Sequence, residues 1–365
     1  MNPRPHSLPT TEIAIAWSGL PPYAIACVGA FARQTGRRVH LIGTAPDTPY
    51  EVIEPPPGVA ISWVDPHDDA LRWGRFGSAA PACFVAPGWA TPAFNALARD
   101  ARTSGGSVVL MMDNRWRGDL RQRLAPLVFG AKYLGLFHAA LVPGRSAREY
   151  AIRLGFQPDS IYTGMYGADP AVFVPGPPLA ERPKRFLYVG RIDRRKGIPE
   201  LMQAWKAVCS QLPEWDLHLI GCGPLRESLP ALPRLTVCDF LQPGELAPAY
   251  RQSRFLVLPS HEDHWGLVVH EAALSGCGLV LSKNVGARFD LATDRNARLC
   301  PPGSGAGLAR ALIQAAGIEP PLLVAAQEES LALASQFGPC RFAEALEAIV
   351  TRQISMVGNA VGRSR

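Results

Sequence analysis

"RFLYVGRIDRRKGIPELMQAW", residues 185–205, is the stretch from which the fold class follows. Its apolar start reads as a strand that stops at Gly190, and a helix opens near Pro199. Between them runs a loop carrying Arg191 and Lys196. A strand–loop–helix unit that recurs along a chain builds a parallel sheet covered by helices. Here it recurs. Downstream, "DLHLIG" (216–221), "RLTVCDF" (234–240), "RFLVLPS" (254–260) and "CGLVLS" (277–282) read as strands, with "ELAPAYRQS" (245–253) as a helix among them. Upstream, "EIAIAW" (12–17), "RVHLIG" (38–43), "ACFVAP" (82–87), "SVVLMMD" (107–113) and "AALVPG" (139–144) repeat the pattern, and "YAIACVGAFARQTG" (23–36) is a helix ending in glycine. The proline-rich "VFVPGPPLAERPKR" (172–185) interrupts it. We therefore expect an α/β chain of two Rossmann-like, doubly wound domains with a ligand cleft between them. The first covers 1–172, a linker 173–185, the second 186–338; residues 339–365 form a helix crossing back to the first, with a frayed tail at 358–365.

The 365 residues suit two domains, and 47% hydrophobic with 19% charged residues suits a folded globular chain. No apolar run reaches the roughly 20 residues that span a bilayer. "MNPRPHSLPTTE" (1–12) lacks the apolar centre of a secretion signal. Eight cysteines, none in a CxxC pair, read as buried, reduced thiols of a cytosolic protein. The net charge of +6 and a pI near 9.0 suit an anionic partner: a nucleotide, a phospholipid surface or nucleic acid. The basic residues are spread out without interleaved aromatics, which argues against nucleic acid.

Three motifs carry chemistry. Arg191 and Lys196 follow a strand at the end where such folds bind ligands; a guanidinium fork and an ammonium point charge suit a diphosphate, and equally a solvated loop. In "LHLIGCGPLRESL" (217–229), Gly221 and Gly223 sit after a strand, but Arg226 stands where a dinucleotide fingerprint needs its third glycine. "HEDHWGLVVHEAALSGCGLVLS" (261–282) holds His261, Glu262, Asp263, His264, His270 and Glu271 around a helix start. It reads as a metal site, as two ligand-binding carboxylates beside an anion-binding helix N-terminus near Trp265 to Val268, or as a capped core helix.

Together these stretches, with "VGARFDL" (285–291) and "NARLCPPGSGAGLARAL" (296–312), resemble the carboxyl-terminal domain of glycosyltransferase family 4 in order and spacing. "TGMYGADPAVFVPG" (163–176) is similar to that family's interdomain stretch at Gly167, Asp169, Phe173 and Pro175, with Tyr166 where asparagine is usual. The resemblance implies a GT-B fold and transfer of a sugar, with retention, from a UDP- or GDP-sugar to a glycan, lipid-linked or other glycoconjugate acceptor. It implies Asp263 and Glu271 as the paired carboxylates, the first on the donor sugar and the second on the ribose, with aspartate replacing the usual glutamate and Glu262 one residue too early. It implies Arg191 and Lys196 on the diphosphate, and Gly19, Gly190, Trp265, Gly266, Leu267 and Val268 around the donor. No cofactor and no essential divalent metal are expected, because the basic pair and the helix N-terminus hold the charge of the leaving group. A cytoplasmic protein of polysaccharide assembly follows, with peripheral placement at the inner membrane face.

On the acceptor side, "MDNRWRGDLRQRLAPLVFG" (112–130) reads as one helix with Trp116, Leu120, Leu124 and Val128 on its core face. Its charged remainder is either solvated or brings Asp113 and arginines such as Arg117 to an acceptor; His138 is a further candidate. Two other readings stand beside the transferase: a nucleotide-sugar epimerase of the same architecture, and an inactive nucleotide-sugar-binding subunit of a synthesis complex.

Overall fold

Ile13–Trp17, Val39–Gly43 and Gly278–Ser282 are buried at every position, without the in–out alternation of a one-sided sheet. Strands buried on both faces need helices on both faces. A computed structural model describes residues 13–46, 48–51 and 54–362. They form two units, one running to Pro143 and taking Ala147–Tyr166 and the chain from Pro339, the other taking Gly144–Ser146 and Gly167–Gly338.

The amino-terminal unit holds β1 (Ile13–Trp17), α1 (Pro22–Thr35), β2 (Val39–Gly43), β3 (Val59–Trp63), β4 (Cys83–Pro87), α2 (Pro92–Thr103), β5 (Ser107–Met111), α3 (Leu120–Lys132), β6 (Ala139–Val142), α4 (Arg145–Arg153) and β7 (Ile161–Thr163). The carboxyl-terminal unit holds β8 (Arg185–Val189), α5 (Ile198–Val208), β9 (Asp216–Ile220), β10 (Leu235–Cys238), α6 (Pro243–Arg251), β11 (Phe255–Leu258), α7 (Leu267–Leu274), β12 (Gly278–Ser282), α8 (Arg288–Leu291), β13 (Ala297–Cys300), α9 (Gly305–Ala316) and α10 (Pro320–Ala334). A last helix, α11 (Pro339–Gly362), belongs to the first unit and packs on α1. Both sheets are wholly parallel, in the orders β3-β2-β1-β4-β5-β6-β7 and β10-β9-β8-β11-β12-β13. In each, the winding reverses between the first and fourth strand, which leaves a crevice at the carboxyl ends of β1/β4 and of β8/β11.

Four readings change. The stretch 173–185 is not a loose linker: Phe173, Leu179 and Arg182 are buried, and the segment belongs to the carboxyl-terminal unit. Arg182 donates to the carbonyls of Pro177 (2.8 Å), Ser253 (3.1 Å) and Ser275 (2.8 Å), which is how a buried guanidinium is satisfied. The chain changes unit between Tyr166 and Gly167, and again after Gly338. The helix expected from Met112 begins only at Leu120, where Asp119 caps it by accepting from Gln122 N–H at 2.9 Å. Trp116 lies in the loop before it, under the guanidinium of Arg153, and the expected core face of Leu120, Leu124 and Val128 is exposed. Gln122 and Phe129 are the buried residues of α3 instead. Of the tail, 358–362 is part of α11 and 363–365 lies outside the described residues, as does 1–12. Cys222 and Cys340 are exposed rather than buried; no disulfide joins the cysteines among the described residues.

Candidate active site

β8 and β11 are neighbours, with Phe186 opposite Phe255 and Leu187 opposite Leu256. Their following loops therefore leave side by side at the switch point of the carboxyl-terminal sheet. The first, Gly190–Gly197, feeds α5; the second, Pro259–Gly266, feeds α7. His261 N–H donates to Arg195 O at 2.9 Å, which stitches the two loops together. The loop after β9 presses on the first from the other side. A Cβ on Gly221 would stand 2.0 Å from Gly190 O, and one on Gly223 2.5 Å from Ile192 O; both glycines have positive φ (147° and 154°). These two glycines thus serve close backbone packing.

The side chains converge at this seam. Lys196 Nζ lies 2.5 Å from Asp263 Oδ2, and neither side chain is more than 16% exposed. Ser260 Oγ donates to the same carboxylate oxygen at 3.4 Å. Asp263 is also fixed by its backbone: its N–H donates to Asn284 O (3.2 Å) and its carbonyl accepts from Gly286 N–H (3.1 Å). Asp193 receives the N–H of Lys196 at 2.8 Å and stands 3.3 Å from Arg191 Nε. The Arg191 side chain is 64% exposed, so its guanidinium reaches into solvent beside the buried pair. Gly190, also at positive φ, donates its N–H to Ile220 O.

α7 starts at Leu267 behind Gly266, which takes a left-handed conformation (φ 91°), and no side chain caps the helix. Its first amides, at Leu267 and Val268, have no carbonyl partner within the helix, which is the condition that lets a helix N-terminus take an anion. Trp265 points inward: its ring packs on His270 and Phe337 (centroids 5.7 and 5.4 Å), and its carbonyl accepts from Ala287 N–H at 2.7 Å. Glu271, in the second turn of α7, is buried and accepts from Tyr250 Oη at 2.7 Å. Burial pushes the Glu271 carboxyl up to about 7, the tyrosine bond opposing it.

The histidines have other work. His270 is fully buried; its Nδ1 accepts from Ala168 N–H and its Nε2 donates to Ala334 O, both at 2.9 Å. Burial pushes it down to about 4, so it is neutral and ties three segments of one unit. His261 pairs with Glu200 at 3.0 Å, and His264 stands 3.7 Å from Glu262. Among the described residues, no three His, Cys, Asp or Glu side chains are grouped to hold a metal ion.

In the amino-terminal unit, Gly19 and Asp113 lie past the carboxyl ends of β1 and β5. Gly19 N–H donates to Thr44 Oγ1 at 3.1 Å, and Asp113 accepts from Tyr166 Oη at 3.4 Å. Arg117 pairs with Asp119 at 2.9 Å. His138 precedes β6 and so sits at the opposite, amino-terminal edge, where its ring nitrogens meet Arg102 Nη1 (2.7 Å) and Val108 N–H (3.1 Å). It is a structural tie rather than an acceptor contact. Reasoning from sequence missed Asp193, Ser260 and Tyr250. Asp193 and Ser260 each stand three residues before a motif residue, which is a usable signal; Tyr250, on α6, has none.

The fold is GT-B, and residues 183–317, within the carboxyl-terminal unit, match the family model described as "Glycosyl transferases group 1". Among individual proteins, the chain is similar to the D-inositol 3-phosphate glycosyltransferase of Corynebacterium glutamicum (strain R), 29% identical over 150 residues, which are 34% of this chain and 36% of that one. It is also similar to the sulfoquinovosyl transferase SQD2 of Arabidopsis thaliana, 36% identical over 100 residues, 27% and 19% of the two chains. The match thus spans about a third or less of these relatives' length. In structure it resembles Anabaena Alr3699/HepE, solved with UDP and glucose, at a TM-score of 0.72 and 16% identity over 93% of this chain and 99% of that one. It resembles a trehalose-6-phosphate structure from E. coli, solved with UDP-2-fluoro glucose, at a TM-score of 0.66 and 13% identity over 93% and 98%.

Proposed function

We propose that this chain is a retaining glycosyltransferase that takes a hexosyl group from a nucleoside-diphosphate sugar, with UDP the favoured nucleotide, and passes it to a glycan or lipid-linked acceptor. One observation carries the reading: the β8 and β11 loops bring Lys196 and Asp263 to 2.5 Å, beside Arg191 and the uncapped start of α7. Two cations and a helix N-terminus at one seam suit a diphosphate. Departure of the nucleotide builds charge on that diphosphate, and fixed positive groups stabilise it most in the transition state.

Lys196 has one ammonium group to share. As it turns to an incoming phosphate, Asp263 loses its partner and gains free lone pairs for donor-sugar hydroxyls. Glu271, ionised above about pH 7, accepts from the ribose hydroxyls. The complexes of the similar structures with UDP, with glucose and with UDP-2-fluoro glucose support the donor class. The function proposed here needs no divalent metal. Asp113 and Arg117 are the acceptor-side candidates of the amino-terminal unit, and placement at a cytoplasmic membrane face suits a lipid-linked acceptor.

The test is incubation of the whole chain with UDP- and GDP-sugars, with and without chelator, followed by separation of nucleotides and sugars. Slow release of free nucleotide, insensitive to chelator, is the expected result. A change in the donor's sugar would reveal an epimerase, and an unchanged donor a binding subunit; either would overturn the proposal.

A further inference from the structure

α3 leaves four large apolar side chains uncovered: Leu120, Leu124, Leu127 and Val128 are 72%, 53%, 73% and 54% exposed. At about 100° per residue they form one stripe about 100° wide, centred opposite Gln122 and Phe129, the helix's two buried residues. The helix cannot roll to hide that stripe. Gln122 Nε2 donates to Arg115 O at 2.7 Å and its Oε1 accepts from Arg117 N–H at 2.5 Å. The Phe129 ring packs among Trp89, Phe137 and Phe156, with centroids 5.0 to 6.2 Å away.

The borders of the stripe are basic. By the same helical spacing Arg123 lies along one side and Arg121 and Lys132 along the other, all exposed, and "LRQRLAPLVFGAK" contains no acidic residue. Leucines facing straight out with cations on either side are the pattern of a helix lying in a membrane interface, with apolar side chains at the acyl boundary and cations at the phosphates. The net charge of +6 acts in the same direction. A second copy of this chain suits the stripe poorly, since pairing two α3 helices would juxtapose their cations with no acidic side chain on the helix to offset them. We propose that α3 is an interfacial helix that seats this chain on an anionic lipid surface. The proposal deepens the membrane placement given above by locating it in α3, and its test reads lipid binding independently of sugar transfer.

The experiment is co-sedimentation of the full chain with vesicles of phosphatidylcholine alone and of phosphatidylcholine with phosphatidylglycerol. Binding is expected to the anionic vesicles only, and to weaken as salt is raised. Leu124→Glu with Leu127→Glu should lower the partition coefficient at least about tenfold. Arg121→Gln and Arg123→Gln should each lower it about fivefold. Leu124→Ala with Leu127→Ala keeps good helix formers in place and should give an intermediate loss, with an unchanged melting curve. The proposal is overturned by equal binding to both vesicles, by no binding to either, or by binding that the variants leave intact. It is equally overturned if sedimentation velocity shows a dimer that the leucine variants dissolve, for the stripe would then belong to a second copy.

Discussion

Asp263 is buried and Lys196 mostly so, and each therefore matters to folding as well as to ligand. Truncating the lysine strands a carboxylate that keeps, among the described residues, a side-chain hydrogen bond from the Ser260 hydroxyl at 3.4 Å. Lys196→Ala should thus lower both stability and turnover, the latter by about 2–4 kcal/mol of transition-state stabilisation. Adding Asp263→Asn to Lys196→Met should restore stability without restoring turnover, which urea unfolding and nucleotide release would separate. Arg191→Ala should cost turnover alone, because its guanidinium is in solvent. Glu262→Gln should be mild, and Asp263→Asn should lose most activity. Glu271 gives a pH signature. Its carboxyl titrates near 4.5 unfolded and about 7 folded, so between those values the unfolded chain binds fewer protons and stability falls as pH rises. The loss totals about 3 kcal/mol and levels off above 7. Glu271→Gln removes it, so the variant's stability relative to wild type should climb from pH 4.5 to 7 in parallel denaturant series. His270 acts in the opposite sense, costing stability as pH falls from 6.5 toward 4, and is common to both proteins. Tyr250→Phe removes a bond that favours the ionised carboxylate, so the pH midpoint of nucleotide binding should move above that of wild type. A midpoint that stays put would detach Tyr250 from the site.

Among elements, the strands legible in the sequence are β1, β2, β4, β5, β6, β8, β9, β10, β11 and β12, most of them apolar runs buried along their length. β3, β7 and β13 were not legible. Each lies at a sheet edge, β7 runs only three residues, and polar positions such as Ser62 and Arg298 dilute the apolar signal. α3 was misread for a related reason. Its four-residue apolar spacing is real, but spacing says only that a face is apolar, not what meets it. The segment at 173–185 was misread because prolines mark irregular backbone and not mobility. Arg182 shows the difference: its buried guanidinium donates to the carbonyls of Tyr250, Ser253 and Ser275, and its removal takes all of those bonds at once. Arg182→Ala should destabilise the chain by about 3 kcal/mol or more, read by urea unfolding with the m-value unchanged. A loss under about 0.5 kcal/mol would mean that the segment is as loose as its prolines suggested.

At the scale of the whole molecule, two parallel sheets wound by one rule put their chemistry at one kind of place, the carboxyl edge at the reversal of strand order. Strand ends are legible in sequence, so the Arg191 and Lys196 loop and the Asp263 loop were found there. Their adjacency was not legible, because it depends on β8 and β11 being neighbours although the paired Phe186 and Phe255 are 69 positions apart. The central claim is that this junction binds the diphosphate of a nucleotide. Calorimetric titration of UDP, and then GDP, into the whole chain and into Arg191→Ala tests it most directly. The account predicts one site, weakened roughly tenfold or more by loss of a charge-assisted hydrogen bond while the fold stays intact. Equal affinity in the two proteins, or no binding of either nucleotide, would contradict it.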